Sequence, residues 1–217
     1  MGIRSSLRHC IGAIMALRLV TDCTVEPVTA DEVHDFLRLP TTNDYAVVNV
    51  LIKTARQYAE NYTKRTFNPQ VWQLVLDGFP SGGVEIPRPP LSSASSNVVI
   101  TYYDTSAALQ TLGSSAYTID YESEPAIVAP STLTDEWPDT NEQLNAVKIQ
   151  FVCGYPYDTV GGGSTITVPE SIKTWIKMRV GAMYENRESL QGGNRYDLPR
   201  SYVDGILDQF IIPWGQE

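Results

Sequence analysis

The sequence predicts an α+β fold: helices from both ends of the chain form a bundle scaffold, and a β-rich segment is inserted between them. Three observations predict it. Apolar residues recur at helical spacing before residue 67 and again after residue 164. Between those limits the apolar period falls to two, the signature of strands. Clusters of Ser, Gly, Pro and Asp cut the middle region into short pieces, as turns do. The resulting organisation is an amino-terminal arm over 1–20, a helical core from 21–67 and 164–217, and a β-rich insertion with acidic loops over 68–163.

The elements follow in order. The opening "MGIRSSLRHCIGAIMALRLV" is basic, then briefly apolar, but Arg18 interrupts the run and no clean small-x-small cleavage site follows. It reads as an extension or flexible arm, with Met15 a possible second start. "PVTADEVHDFLRLP" places Thr29 three residues before Glu32, a capping-box spacing. Val33, Phe36 and Leu37 give that short helix an apolar face, and Pro40 stops it. A longer helix runs from about Asp44 to Lys64. Val48, Leu51, Ile52, Ala55, Ala59 and Tyr62 form its apolar side; Asn49, Lys53, Arg56, Glu60 and Lys64 are assigned mostly to a wet face.

From Asn68 the pattern changes. In "QVWQLVLDGFP" Trp72, Leu74 and Leu76 alternate with Val71, Gln73, Val75 and Asp77, so one face is core and Trp72 belongs to it. "GGVEIPRPPL", "NVVITYYD", "AYTIDY", "AIVAP" and "NAVKIQFVCG" supply further strands. The run Gly161–Gly163 lacks the Gly-Lys-Ser/Thr of a phosphate-binding loop and reads as a hinge. Pro169 and Glu170 suit the first turn of a helix over about 170–190. Its stripe is Ile172, Trp175, Ile176, Val180, Met183 and Tyr184, and Gly192 and Gly193 end it. A last helix starts near Pro199, buries Val203, Ile206, Leu207 and Phe210, and leaves "IIPWGQE" as an apolar tail.

Composition excludes several functions. The chain has 217 residues, 42% of them hydrophobic, enough for a proper core rather than disorder. Its formal net charge is −9. No Lys or Arg stands between Arg88 and Lys148, whereas Asp104, Asp120, Glu122, Glu124, Asp135, Glu136, Asp139 and Glu142 do. Such a stretch repels phosphate backbones, which argues against a sequence-specific DNA binder. Cys10, Cys23 and Cys153 make no CxxC pair or disulfide framework. With only His9 and His34, a multi-histidine zinc site is not available. There is no G-x-S-x-G elbow, and His34 sits on an amphipathic helix among acids, so no nucleophile–base pair emerges. "DEWPDTNEQ" is acid-rich but has no EF-hand spacing and reads as a solvated loop. Abundant acid pairs, with Trp72, Trp137 and the tyrosines to line a sugar cleft, keep a carbohydrate-binding or glycan-active β domain open as the alternative reading.

Several phrases taken together resemble the head–tail connector (adaptor) proteins of tailed bacteriophages and prophages. They are "PVTADEVHDFLRL", "ARQYAENYTKRTF", "VWQLVLDGFP", "IPRPPLSS" leading to "VITYYD", and "VPESIKTWIKMRVGAMYENRE". Order and spacing match from about Glu26 to Trp214; the arm before Thr21 has no counterpart. The resemblance implies a non-enzymatic virion protein without cofactor, assembled in the host cytoplasm. It would form a ring, a dodecamer matching the portal, and dock beneath the portal protein after DNA packaging. It would carry the stopper or tail-completion protein and let double-stranded DNA pass through its lumen. Another neck role, as stopper or tail-completion protein, is the nearest alternative. On this view Tyr184, Glu185, Arg187 and Glu188 form a contact with the next subunit, since guanidinium forks match carboxylates. The tail residues Phe210, Ile211, Ile212 and Trp214 would anchor in the portal. Asp120, Glu122, Glu124, Asp135 and Glu136 would present acid to the passing genome.

Overall fold

A computed structural model of the protein describes residues 16–39, 41–93, 97–132, 136–158, 165–186 and 205–212. Helices α1 (Ala30–Leu37), α2 (Tyr45–Thr63), α3 (Glu170–Glu185) and α4 (Gly205–Asp208) come from the two ends of the chain. Between α2 and α3 lie β2 (Gln70–Leu76), β3 (Val84–Ile86), β4 (Val98–Tyr103), β5 (Leu109–Thr111), β6 (Tyr117–Asp120), β7 (Ala126–Pro130), β8 (Val147–Cys153), β9 (Tyr157–Asp158) and β10 (Thr165–Ile166). The fold is α+β, as the change of period predicts.

The start of the chain differs from the expected arm. Ala16–Thr21 form a strand, β1, paired antiparallel with β2 at the edge of the main sheet. All six side chains are exposed, so backbone pairing rather than burial holds β1 in place, and no alternating apolar pattern marked it. Whatever arm exists lies in residues 1–15, outside the described residues.

The main sheet is antiparallel with the order β1-β2-β8-β4-β5, and a second sheet has the order β3-β7-β6. Strands β2 and β8 show the predicted two-residue repeat: Leu74, Leu76, Val147, Ile149, Phe151 and Cys153 are buried, and the strand residues between them are not. These side chains meet Val84, Ile86, Tyr117, Ala126 and Val128 of the second sheet in one apolar cluster, so the insertion is a small sandwich. A separate cluster is helical: Val33, Val48, Ile52, Ala55, Ala59, Ile172, Trp175, Ile176, Val180 and Leu207. The predicted stripes of α2 and α3 supply most of it.

Local signals explain the helix ends. The Thr29 hydroxyl accepts the Glu32 backbone N–H at 3.2 Å, and the Glu32 carboxylate accepts the Thr29 N–H at 2.7 Å, completing the capping box. Helix α1 lies close on α3: a Cβ at Gly181 would stand 2.7 Å from Leu37 Cδ2. α3 stops at Glu185, and Asn186 folds its side-chain amide back onto the Ala182 carbonyl at 2.8 Å.

The two clusters join at the "PRPPL" segment. Thr66 N donates to Pro89 O at 3.0 Å, Gly154 N to Pro90 O at 2.8 Å, and Tyr155 N to Phe67 O at 3.0 Å. Both chain crossings between helices and sandwich are therefore bonded to each other or to the same proline turn. Gly154 makes this possible. Its φ is +128°, and a Cβ there would lie 2.4 Å from the Asn68 carbonyl carbon and oxygen. Gly154→Ala is expected to cost about 2–3 kcal/mol from backbone strain and overlap. Chemical denaturation checks this; an unchanged midpoint would show that the crossing simply moves apart.

Candidate assembly surfaces and the Arg56 clasp

The largest charged cluster among the described residues is one that the helical pattern misassigned. Arg56 and Glu60 were placed on the wet face of α2, yet they are 1% and 5% exposed. Arg56 Nε donates to Glu26 Oε2 at 2.6 Å, Nη1 to Glu60 Oε2 at 2.8 Å, and Nη2 to Asp22 Oδ1 at 3.1 Å. Lys53 adds a second cation on Asp22 at 2.9 Å. Glu60 also accepts the Phe67 backbone N–H at 2.9 Å and the Gln70 amide at 3.0 Å. Arg88 donates to the Glu60 carbonyl at 2.9 Å and lies over the Trp72 ring, 5.0 Å from its centroid. One guanidinium thus ties the segment after β1 to α2, and through Glu60 to the start of the sandwich. The i,i+4 spacing of Arg56 and Glu60 was visible as a salt-bridge signal; that Asp22 and Glu26 fold over it was not.

The electrostatics follow from burial and pairing. Burial raises the Glu60 pKa above the usual carboxylate value, and Arg56 with the two N–H donors only partly offsets it. Burial opposes the charge of Arg56 too, but the Glu26 hydrogen bonds and the Glu60 charge outweigh it and raise its pKa. For Asp22 partial burial is overcome by Lys53 and Arg56, and its pKa is lowered. Beside them Cys23, partly buried, is pushed up to about 12, and buried Cys153 likewise to about 12. Both thiols stay protonated and unreactive at neutral pH.

The tail residues are held by the chain itself. Arg65 Nε donates to Phe210 O at 2.7 Å, Ile212 N to Thr63 O at 3.1 Å, and Tyr62 OH to Asp208 at 2.6 Å. Ile212 is buried, Phe210 packs against the helical cluster, and Ile211 is exposed. Trp214 lies outside the described residues.

At the end of α3, Tyr184 packs on the helical cluster and its hydroxyl donates to the Asp44 carboxylate, while Glu185 is exposed. Arg187 and Glu188 lie outside the described residues. The acids of the insertion have different occupations. Asp120 closes a turn, accepting from Glu122 N at 2.9 Å and from the Ser123 hydroxyl at 2.6 Å. Glu124 is paired with Arg65 at 2.6 Å. Glu122 and Glu136 are exposed, and Asp135 lies outside the described residues. Asp104 also serves a turn, accepting from Ser106 N, Ala108 N and the Gln110 amide.

The aromatic residues weighed for a sugar site are engaged. Trp137 stacks on Phe79 at 4.7 Å with planes 6° apart, and its indole N–H donates to Gly82 O at 2.8 Å. An open cleft of about 430 Å³ beside them is lined by Pro80, Pro130, Glu136 and Asp139 among others. His34 stands edge-on to Tyr45, and among the described residues no group of three His, Cys, Asp or Glu is arranged to hold a metal ion.

No family model matches the chain, and no curated protein matches it in sequence. Its fold is similar to solved structures. A chain in the neck of the empty gene transfer agent (GTA) particle, computed with C6 symmetry, superposes with a TM-score of 0.72 at 16% identity, covering 93% of this chain and 100% of that one. A chain in the virion of the native GTA particle gives 0.69 at 16% identity, covering 93% and 99%. A chain in the neck of the native GTA particle, computed with C12 symmetry, gives 0.66 at 17% identity, covering 93% and 100%.

Proposed function

We propose that the protein is a structural component of the neck of a tailed, phage-like particle: a head–tail adaptor that forms a ring under the portal. The observation that carries this reading is end-to-end agreement of fold. Helices and sandwich together, 93% of the chain, superpose on all or nearly all of chains from GTA particles, two of them from its neck. A match confined to the helices or to the sandwich alone would carry far less.

The sequence features support the same reading. The acid-only stretch from Asp104 to Glu142 suits a surface past which a genome slides, because its field fades within about 8 Å at physiological salt. Asp120, Glu122, Glu124, Glu136, Asp139 and Glu142 are its exposed members among the described residues; Asp120 also closes a turn and Glu124 is paired with Arg65. The ring is dodecameric in this proposal. It sits between the portal protein and the stopper or tail-completion protein, in the virion, after assembly in the host cytoplasm. It has no enzymatic role and needs no cofactor. Because Ile212 and Phe210 are held by the fold, portal anchoring falls to Ile211 and the chain beyond it, Trp214 included. Arg187 and Glu188, with Glu185 and Tyr184, form a contact with the next subunit.

The test is electron microscopy of particles made without this gene. Filled or leaking heads beside free or missing tails are expected, and purified protein added back restores joining. Normally tailed particles would overturn the reading.

A further inference from the structure

We infer that the two outer faces of the sandwich are the two halves of one head-to-tail interface between copies of this chain. The inference rests on the neck reading above and names which surfaces meet around the ring. The main sheet turns one face to the second sheet, and the register fixes what its other face carries. Val71, Val75, Val152, Val99 and Leu109 lie on that other face, out of phase with buried Leu74, Ile149 and Ile100. None of the five belongs to the sandwich cluster or to the helical one. Val99 is 43% and Leu109 60% exposed. An apolar sheet face with no covering layer among the described residues is a contact surface.

The two outer faces have opposite charge. On the main sheet the charged residues are Arg18 of β1 and Lys148 of β8, and no residue that the register pairs on that face is Asp or Glu. The chain as a whole carries −9. Neither cation is in an ion pair among the described residues. On the second sheet Glu85 of β3, Ile127 of β7 and Asp120 of β6 stand in one row facing away from the core. Glu85 and Asp120 are exposed, and that face has no Lys or Arg. Each charged pair spans one intervening strand. From strand spacing and rise, Arg18 and Lys148 are about 12 Å apart along the backbone surface, and Glu85 and Asp120 about 10 Å.

These features select a second copy as the occupant. The complement of each face lies on the same chain, with the sign reversed and nearly the same spacing. It lies on the opposite side of the sandwich, and head-to-tail closure of a ring needs two different patches on different sides of one subunit. A two-fold contact through the main-sheet faces would set Arg18 and Lys148 against their own copies, and one through the second sheets would do the same to Glu85 and Asp120. An apolar centre depleted of charge is the composition of a protein interface, whereas a phosphate-binding surface is dense in Lys and Arg. Of the acids offered to the genome, the contact takes Asp120 and leaves Glu122, Glu136, Asp139 and Glu142.

The experiment uses the full chain in the add-back assay with heads made without the gene. One variant carries Arg18→Glu and Lys148→Glu, making the main-sheet face acidic. The other carries Glu85→Lys and Thr118→Lys, making the second-sheet face basic; Asp120, which closes a turn, is left in place. Each variant alone sets like charges together, and joining is expected to fall at least about tenfold. An equal mixture pairs acid with base at every junction, so joining recovers to within about threefold of wild type, with the two variants alternating. Thermal unfolding checks that each variant folds; one that does not melt cooperatively is replaced in the same scheme by its single exposed substitution, Arg18→Glu or Glu85→Lys. Joining by either variant alone at the wild-type level would overturn the interface and leave the neck reading standing. Folded variants that fail both alone and mixed would also overturn it, showing that these faces meet the genome or another protein instead of a second copy. Failure of the wild-type chain to restore joining would overturn the neck reading, and this inference with it.

Discussion

Replacing Arg56 by alanine is expected to destabilise the protein by about 3–5 kcal/mol, the cost of removing one partner from a buried ion pair. Glu60 is 5% exposed and would keep its charge with only Gln70 and the Phe67 N–H as compensation. Asp22 and Glu26 would lose the guanidinium that holds them, leaving Lys53 as the one cation on Asp22. The pH dependence identifies the mechanism. The Glu60 pKa is already raised in the fold by burial, and without Arg56 it rises further. A group whose folded pKa is raised favours the fold when protonated and loses that contribution as pH climbs through the folded value. The deficit of the variant is therefore largest at neutral pH and shrinks as the solution is acidified. Asp22 has the opposite sign. Its lowered pKa gives stability that is complete above the ordinary aspartate value and lost as pH falls through the folded one. Denaturation midpoints of wild type and variant between neutral and acid pH check both. A deficit that stays constant with pH would assign the loss to packing rather than to the orphaned carboxylate.

Trp175→Ala should cost a similar amount, about 3–5 kcal/mol, for a different reason. The indole is fully buried at the centre of the helical cluster and lies flat against Tyr58, with centroids 5.8 Å apart and planes at 9°. Tyr58 in turn stacks on Tyr62 and carries Arg179 over its ring at 5.3 Å. Truncation opens a cavity beneath this stack and loosens α2 from α3. Trp175→Phe is the informative companion. It retains a ring in the stack and removes a buried N–H that has no hydrogen-bond partner, a group that costs about 1–3 kcal/mol when unsatisfied. The loss for phenylalanine should therefore be much the smaller. Hydrogen exchange locates the damage: amides of α2 and α3 lose protection in Trp175→Ala, while β2 and β8, packed in the other cluster, keep theirs. Equal loss in both would mean that the two clusters unfold as one unit.

The regular elements were legible because their cores repeat. Val48, Ile52, Ala55 and Ala59 fall on one side of a 3.6-residue period, and Leu74 and Leu76 on one side of a two-residue period. The Thr29–Glu32 cap is a local motif that needs no tertiary information. β1 was missed because an edge strand with six exposed residues carries no alternation to read. The clasp was missed for a related cause. Arg56 and Glu60 look like any solvent-side pair of a helix until Asp22 and Glu26, some thirty residues away in sequence, fold over them.

The candidate surfaces divide in the same way. The absence of Lys and Arg from 89 to 147, the basic start of the chain and the class of fold are properties of the sequence alone. Which acids remain available was decided in three dimensions, where Asp120 and Asp104 became turn acceptors and Glu124 was paired by Arg65. So was the fate of the tail: Ile212 reads as part of a free apolar end and Phe210 as both a helix face and an anchor, but Thr63 and Arg65 bind their backbone to the end of α2. Periodicity records only how a segment meets its immediate neighbours, and so it determines the elements. Strand order, the partners of a buried charge and the side of the molecule on which an edge emerges depend on contacts between distant segments. Those contacts leave no period in the chain, and only the tertiary structure decides them.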